Sequence, residues 1–288
     1  MKFVIYFALL FGLMVQNLSA ANNPSQLKRY RFAPEPIDVV IPTVEKDLET
    51  LNLCIAGIRA NCSEVRRIIV VSSRPLTDEA EWFDETLFPF SKRDVAFYLA
   101  NQNEAEALAA LSGSNRIGWY FQQLLKLYAP FVIPDISGNV LVLDSDTIFL
   151  NPVKFLNDDF AGNYNPGFSY HKPYLKHAGC LIPGFAKIFS KFSGISHHML
   201  FQYPVLQDLF SAVESFHRMP FWEAFCRCVR SYEFSGASEY EIYFNFAFSR
   251  TDQVKIRPLQ WTDVHSLDNL DEYKALGFHY VSCHSYLR

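Results

Sequence analysis

The chain has 288 residues, half of them hydrophobic and 16% aromatic, with a formal net charge of -4. That much apolar sequence supports a large core and excludes a disordered protein. The charge is small and mixed, with no basic block to neutralise a phosphate backbone, which excludes nucleic acid as a partner.

The chain opens with Lys2, an apolar run from Phe3 to Val15 and small residues at Ser19, Ala20 and Ala21. This is the pattern of a secretory signal peptide over residues 1–21, so the expected location is the secretory-pathway lumen or outside the cell. The run is shorter than the roughly 20 residues a membrane-spanning helix needs. An uncleaved type II anchor is the alternative, and membrane contact is expected only in that case. Residues 22–36, with Pro34 and Pro36, read as a linker, and residues 37–288 as a single domain.

Ile37–Ile41 reads as the first strand, stopped by Pro42 and Thr43. Apolar residues at Leu48, Leu51, Cys54, Ile55 and Ile58 then follow helical spacing. A second strand spans Arg67–Val71 and ends in Ser72 and Ser73. Thr77 is expected to cap a helix reaching Leu87, and Val95–Leu99 reads as a third strand. Helices are predicted over Asn103–Leu111 and Ile117–Tyr128, the latter closed by Pro130 and Pro134. Asn139–Leu143 is a buried strand that ends at Asp144. Strands alternating with helices at this spacing predict an α/β fold with a mostly parallel, doubly wound sheet flanked by helices. Ligands of such sheets sit beyond the carboxyl ends of the strands. Thr43, Ser72 and Asp144-Ser145-Asp146 therefore share one rim.

The second half is less regular. Gly162–Gly184 is rich in Gly, Pro and Tyr. Helices are expected over Val205–Phe216, Pro220–Arg230, Glu239–Phe248 and Leu267–Leu276, and strands over Val254–Leu259 and Tyr280–Cys283. The six cysteines fit an oxidising compartment. Cys226 and Cys228, two apart in a helix, point apart and should not pair with each other. Asn61-Cys62-Ser63 matches an N-glycosylation acceptor, which a half-cystine at Cys62 would block.

The chemistry centres on Asp144-Ser145-Asp146. Two carboxylates separated by one residue at the end of a buried strand can aim at one cation, which can neutralise a diphosphate. A pair of turn-forming aspartates is the bland alternative. The apolar strand ahead of it, and the opening Ile37-Asp38-Val39-Val40-Ile41-Pro42-Thr43, resemble the metal-dependent glycosyltransferases of the GT-A fold. Within them the chain is similar to a family of nucleotide-diphospho-sugar transferases, through Arg116-Ile117-Gly118-Trp119-Tyr120-Phe121-Gln122-Gln123-Leu124-Leu125-Lys126 and Glu239-Tyr240-Glu241-Ile242-Tyr243-Phe244-Asn245.

That resemblance implies a nucleotide-sugar-binding half, residues 37–152, and an acceptor-side half, residues 153–288. It implies transfer of a sugar from a nucleotide-diphospho-sugar to a hydroxyl of a carbohydrate, lipid or protein acceptor, with Mn2+ or Mg2+ as cofactor. Pro42, Thr43, Glu45 and Ser72 would meet base and ribose. Arg116 or Lys126 would meet the diphosphate, where a guanidinium can form paired bonds to phosphate oxygens. Ser145 lies between the two acids. The resemblance also implies a third, C-terminal metal ligand, for which His284 is preferred over His279 because it follows the last strand. Imidazole beside carboxylates suits manganese better than magnesium.

Ser238 should cap the helix beginning at Glu239. A carboxylate near the transferred sugar is required as a base or hydrogen-bonding partner, and Glu241 is favoured over Glu239. Ser196-His197-His198-Met199 and His171-Lys172-Pro173-Tyr174 supply polar and aromatic groups on the acceptor half, with core packing the simpler role for their rings. Two rival readings stand beside this one. Asp144-Ser145-Asp146-Thr147 approaches the nucleophile motif of haloacid-dehalogenase phosphohydrolases, although three strand-helix units precede it. The fold could also serve a non-catalytic secreted binding protein.

Overall fold

The computed structural model describes residues 27–113 and 116–284. The first half runs β1 (Ile37–Pro42), α1 (Leu48–Asn61), β2 (Val65–Ser72), β3 (Glu81–Asp84), α2 (Lys92–Leu99), α3 (Glu104–Ser112), α4 (Ile117–Val132) and β4 (Asn139–Leu143). The second runs β5 (Thr147–Phe149), β6 (Asn163–Tyr164), α5 (Lys172–Leu181), β7 (His198–Gln202), α6 (Tyr203–His217), α7 (Phe221–Cys228), α8 (Glu239–Arg250), β8 (Lys255–Ile256), β9 (Trp261–Asp263), α9 (Leu270–Ala275) and β10 (Tyr280–Ser282). The segment read as a signal peptide lies outside the described residues.

Every residue of β1 and β4 is buried, as expected of strands covered on both faces. They lie side by side in a sheet of order β3-β2-β1-β4-β7, in which only β7 is antiparallel. This is the α/β architecture the alternation predicts, with a mostly parallel sheet flanked by helices. The chain moves outward from β1 to β3 and then returns to place β4 on the other side of β1. The strand order therefore reverses between β1 and β4, opening a crevice beyond their carboxyl ends.

Asp144-Ser145-Asp146 links β4 directly to β5, the first strand of a smaller sheet of order β5-β10-β9. The link is a tight turn in which the Thr147 N–H donates to the Asp144 carbonyl. β10 runs antiparallel to β5, pairing Ser282 with Thr147, and the Cys283 N–H donates to the Asp146 carbonyl. The backbone thus delivers the C-terminal segment to the acidic turn. One large hydrophobic cluster extends from Phe32 to Tyr280, with a small satellite of Ile148, Leu150, Val264, Val281 and Cys283 under the second sheet.

Several expected elements differ. Thr77 makes only a short turn, its hydroxyl accepting the Glu79 N–H. The chain then forms edge strand β3, held to β2 by the Arg67–Glu81 ion pair. Val95–Leu99 is helical, because Ser91 and Asp94 form a capping box and Val95, Ala96 and Leu99 bury one helical face. Pro130 lies inside the last turn of α4, where its missing N–H costs a single bond. The irregular tract 162–184 contains α5, and 254–259 holds only the two-residue β8. Residues 27–36 have no regular structure but are docked: Phe32 is buried, and the Tyr30 hydroxyl donates to Asp208 at 2.6 Å.

Cys180 and Cys228 form a disulfide between α5 and α7, while Cys54, Cys62 and Cys226 are buried thiols. Cys226 and Cys228 do not pair with each other. The Asn61 carboxamide donates to the carbonyls of Gly57 and Phe149, so the sequon's acceptor nitrogen is engaged in the fold. Among the described residues no helix is long and apolar enough to cross a membrane.

Beside the disulfide, His177 is enclosed between α5 and α7, with Nε2 bonded to the Phe225 carbonyl and Nδ1 buried with no partner among the described residues. Burial lowers its pKa from 6.5 to about 4, against the smaller opposing effect of the Phe225 carbonyl. Because the folded-state value lies below the unfolded one, its contribution to stability is complete above pH 6.5 and is lost as pH falls through 4. Urea unfolding of wild type should lose up to roughly 3 kcal/mol across that window relative to the pH profile of His177→Gln.

Candidate functional site

The crevice at the β1/β4 junction has two lobes, of about 430 Å³ and 450 Å³, which share Lys46, Asp47, Arg116, Trp119 and Gln122. The first lobe holds the acidic turn Asp144-Ser145-Asp146 together with Lys126, Ser196, His197, Glu239, Tyr240 and His284. The second lies over the end of β1 and is walled by Pro42, Thr43, Val44, Lys92 and Leu125. Trp119 and Tyr174 stack at 6.1 Å between ring centres on one side of the first lobe.

Lys126 is the most unusual residue in the cleft. It lies in the apolar helix α4 and is 2% exposed. Its ammonium donates to Asp144 Oδ1 at 2.5 Å, Glu239 Oε1 at 2.8 Å and the Tyr240 hydroxyl at 2.9 Å. All three N–H groups are therefore spent. Burial alone would lower its pKa, but Asp144 and Glu239 outweigh that and hold it well above the ordinary lysine value. Burial, followed by the nearby charge of Asp144, raises the Glu239 carboxyl, with Lys126 opposing.

At the other end of the turn, His284 Nδ1 lies 2.8 Å from Asp146 Oδ2. An ionised carboxylate only accepts, so Nδ1 carries the proton and Nε2 faces away from Asp146. That Nε2 is 3.5 Å from Asp263 Oδ1, and His197 Nε2 is 3.7 Å from the same oxygen. The ligand atoms of His197, Asp263 and His284 all fall within 4.8 Å of one another. Burial opposes protonation of His284, but the Asp146 bond and charge prevail and raise its pKa. Correspondingly, Asp146 sits below the usual carboxylate value despite its burial.

The expected site residues are distributed unevenly. Asp144, Ser145, Asp146, His284, Arg116 and Glu239 line the first lobe; Pro42 and Thr43 line the second. Lys126 reaches the cleft but is spent on Asp144 and Glu239, so it does not offer a free ammonium. Glu241 lies behind the wall: its carboxylate accepts the Gly194 N–H, with Lys187 nearby. Of the two glutamates, Glu239 therefore lines the cleft and Glu241 does not. Glu45 points to solvent and pairs with Arg74, and the Ser72 hydroxyl donates to the Arg74 carbonyl instead of facing the cleft. His279 accepts the Gln260 N–H at Nδ1, at the far end of β10 from the acidic turn. The Ser238 cap is present, its hydroxyl accepting the Glu241 N–H.

Trp119, Gln122 and Tyr174 also line the first lobe, and Asp263 reaches its edge. Gln122 lies within the Arg116–Lys126 motif, and its carboxamide donates to the Pro42 carbonyl. Nothing in the sequence marks Asp263, which reaches the site only through pairing of β9 with β10.

No protein-family model and no curated protein matches the chain. Among solved structures it is similar to the apo form of mouse xyloside xylosyltransferase 1, with 12% identity, a TM-score of 0.42, and coverage of 88% of this chain and 99% of that one. A likeness at that score does not bear on chemistry.

Removing the Lys126 charge strands two carboxylates. Lys126→Met should destabilise the protein by about 3–5 kcal/mol, and Lys126→Met/Glu239→Gln should recover part of that loss in thermal unfolding. Equal melting temperatures for wild type and the single variant would show that the buried ammonium does not hold the site together.

Proposed function

We propose that the chain is a metal-dependent glycosyltransferase of the GT-A type that moves a sugar from a nucleotide-diphospho-sugar to a hydroxyl acceptor. The observation that carries this reading is the convergence of Asp144, Asp146 and His284 on one cleft at the strand-order reversal, where α/β sheets bind their ligands. Imidazole nitrogen and carboxylate oxygen together at this end of the cleft suit a divalent cation. Asp146 fixes the His284 ring by its 2.8 Å contact, leaving Nε2 directed away from that carboxylate. Imidazole with carboxylate favours manganese over magnesium. When bound, the cation would neutralise charge developing on the departing diphosphate.

The chain's own groups have separable tasks. The second lobe, over Pro42 and Thr43, would take base and ribose, and Arg116, shared by both lobes, would meet the diphosphate. In transfer, the bond from anomeric carbon to diphosphate oxygen breaks with its electron pair on the diphosphate. The acceptor oxygen bonds to that carbon, and its proton leaves to the diphosphate or to a cleft carboxylate. Of the two carboxylates that hold Lys126, Asp144 is the more accessible, at 27% side-chain exposure against 5% for Glu239. Glu239 is assigned to holding Lys126 in place. Trp119 and Tyr174 offer ring faces on which a sugar could stack. An acceptor among carbohydrates, lipids or proteins, and a secretory-pathway location, belong to the same reading.

A donor screen with Mn2+, scored by release of nucleoside diphosphate, tests it. One or more nucleotide sugars should be turned over, and Asp146→Ala should reduce turnover by about two orders of magnitude or more while the protein stays folded. Full turnover in Asp146→Ala would remove the assignment. Phosphate release from a phosphomonoester would favour the hydrolase instead.

A further inference from the structure

His197 stands out because nothing in an ordinary acidic-turn site requires it. It precedes β7, and its ring is clamped between Trp261 at 4.7 Å and His284 at 5.1 Å between centres. Among the described residues its Nδ1 is buried without a partner, while Nε2 is turned to Asp263. His284 turns its own Nε2 to the same Asp263 oxygen, and Asp146 backs it at Nδ1. A carboxylate on the far nitrogen of an imidazole whose near nitrogen faces a cluster is the arrangement that orients a metal-ligating histidine. At the other end of the turn, Lys126 holds Asp144 Oδ1 at 2.5 Å.

We infer that the cation of this cleft is held by His197, Asp263 and His284, with Asp146 as the carboxylate behind His284 and Asp144 retained by Lys126. Two imidazoles and one carboxylate form a three-ligand set with room for exogenous oxygens, suited to borderline cations such as Zn2+, Co2+ or Mn2+ and poorly suited to Mg2+. The separations of 3.5 and 3.7 Å about Asp263 Oδ1 are close to those between neighbouring ligands of one ion, so little rearrangement is needed. The inference deepens the reading of the cleft as a cation-dependent donor site and assigns its ligands differently from the paired acids alone.

The test is binding of Co2+ to the purified protein without nucleotide, followed by calorimetry and by the visible absorption of the bound ion. Wild type should bind Co2+ with the strong visible bands of a four- or five-coordinate site, and Zn2+ should displace it. Asp263→Asn and His197→Gln should weaken binding at least about tenfold, Asp146→Asn about tenfold to hundredfold, and Asp144→Asn less than about twofold. Asp263 is exposed, so its variant reads the site without risk to the core. Undiminished binding in Asp263→Asn and His197→Gln, loss in Asp144→Asn, or no Co2+ binding by wild type would each overturn the assignment. Sugar transfer is read separately. Turnover that depends on Asp146 but is indifferent to His197 and Asp263 would sink this inference and leave the transferase reading standing. Co2+ binding as described, with no donor turned over, would do the reverse.

Discussion

An ammonium buried in a protein interior costs several kcal/mol unless each of its N–H groups meets an acceptor and its charge is matched. Lys126 meets that condition with Asp144, Glu239 and Tyr240, one from the end of β4 and two from the start of α8. Helix α4, the acidic turn and the distant start of α8 are thereby fixed around one nitrogen. The first lobe depends on this arrangement, because α4, the acidic turn and the start of α8 all contribute to its lining. The net charge of the Lys126–Asp144–Glu239 group, with both carboxylates ionised, is one negative.

The backbone places the other end of the acidic turn. Asp144-Ser145-Asp146 lies at the seam between two sheets, and the pairing of β10 with β5 brings Cys283 and then His284 beside it. β9 adds Asp263 by pairing with β10, and the loop before β7 adds His197. The two ends of the turn consequently have opposite environments. Asp144 faces a permanent cation of the protein, whereas Asp146 faces an imidazole whose second nitrogen is directed into a cluster of possible ligands. That asymmetry separates a structural ion pair from the end at which we propose that an exogenous cation binds, although only Ser145 lies between the two acids.

Much of this was legible in the sequence where a single local rule decided the outcome. The uninterrupted apolar strand Asn139–Leu143 located the acidic turn, and Ser238 before two glutamates located the start of α8. The family resemblance implied a C-terminal histidine at the acidic turn, and the place of His284 after Tyr280–Ser282 favoured it over His279; the contact with Asp146 is seen only in the fold. Elements governed by competing signals were misread. Val95–Leu99 carries a β-branched and aromatic composition but is decided by the Ser91–Asp94 capping box. The roles of Lys126, Glu239 and Glu241 were not accessible to spacing, because each depends on what a side chain meets across the fold. Glu241 turns to the Gly194 N–H, where a side chain at position 194 would collide with the Tyr240 carbonyl at 2.4 Å. Asp263 belongs to the same class, since only sheet pairing brings it near His284.

The central claim is that a cation bound beside Asp146 and His284 engages a nucleotide diphosphate in this cleft. A crystal structure of the protein with Mn2+ and a nucleoside diphosphate, with the cation located by its anomalous scattering, tests it most directly. The account predicts one strong anomalous peak in bonding contact with His284 Nε2 and with oxygens of the diphosphate, and the base over Thr43. A peak remote from His284, or a nucleotide bound outside the two lobes, would contradict it.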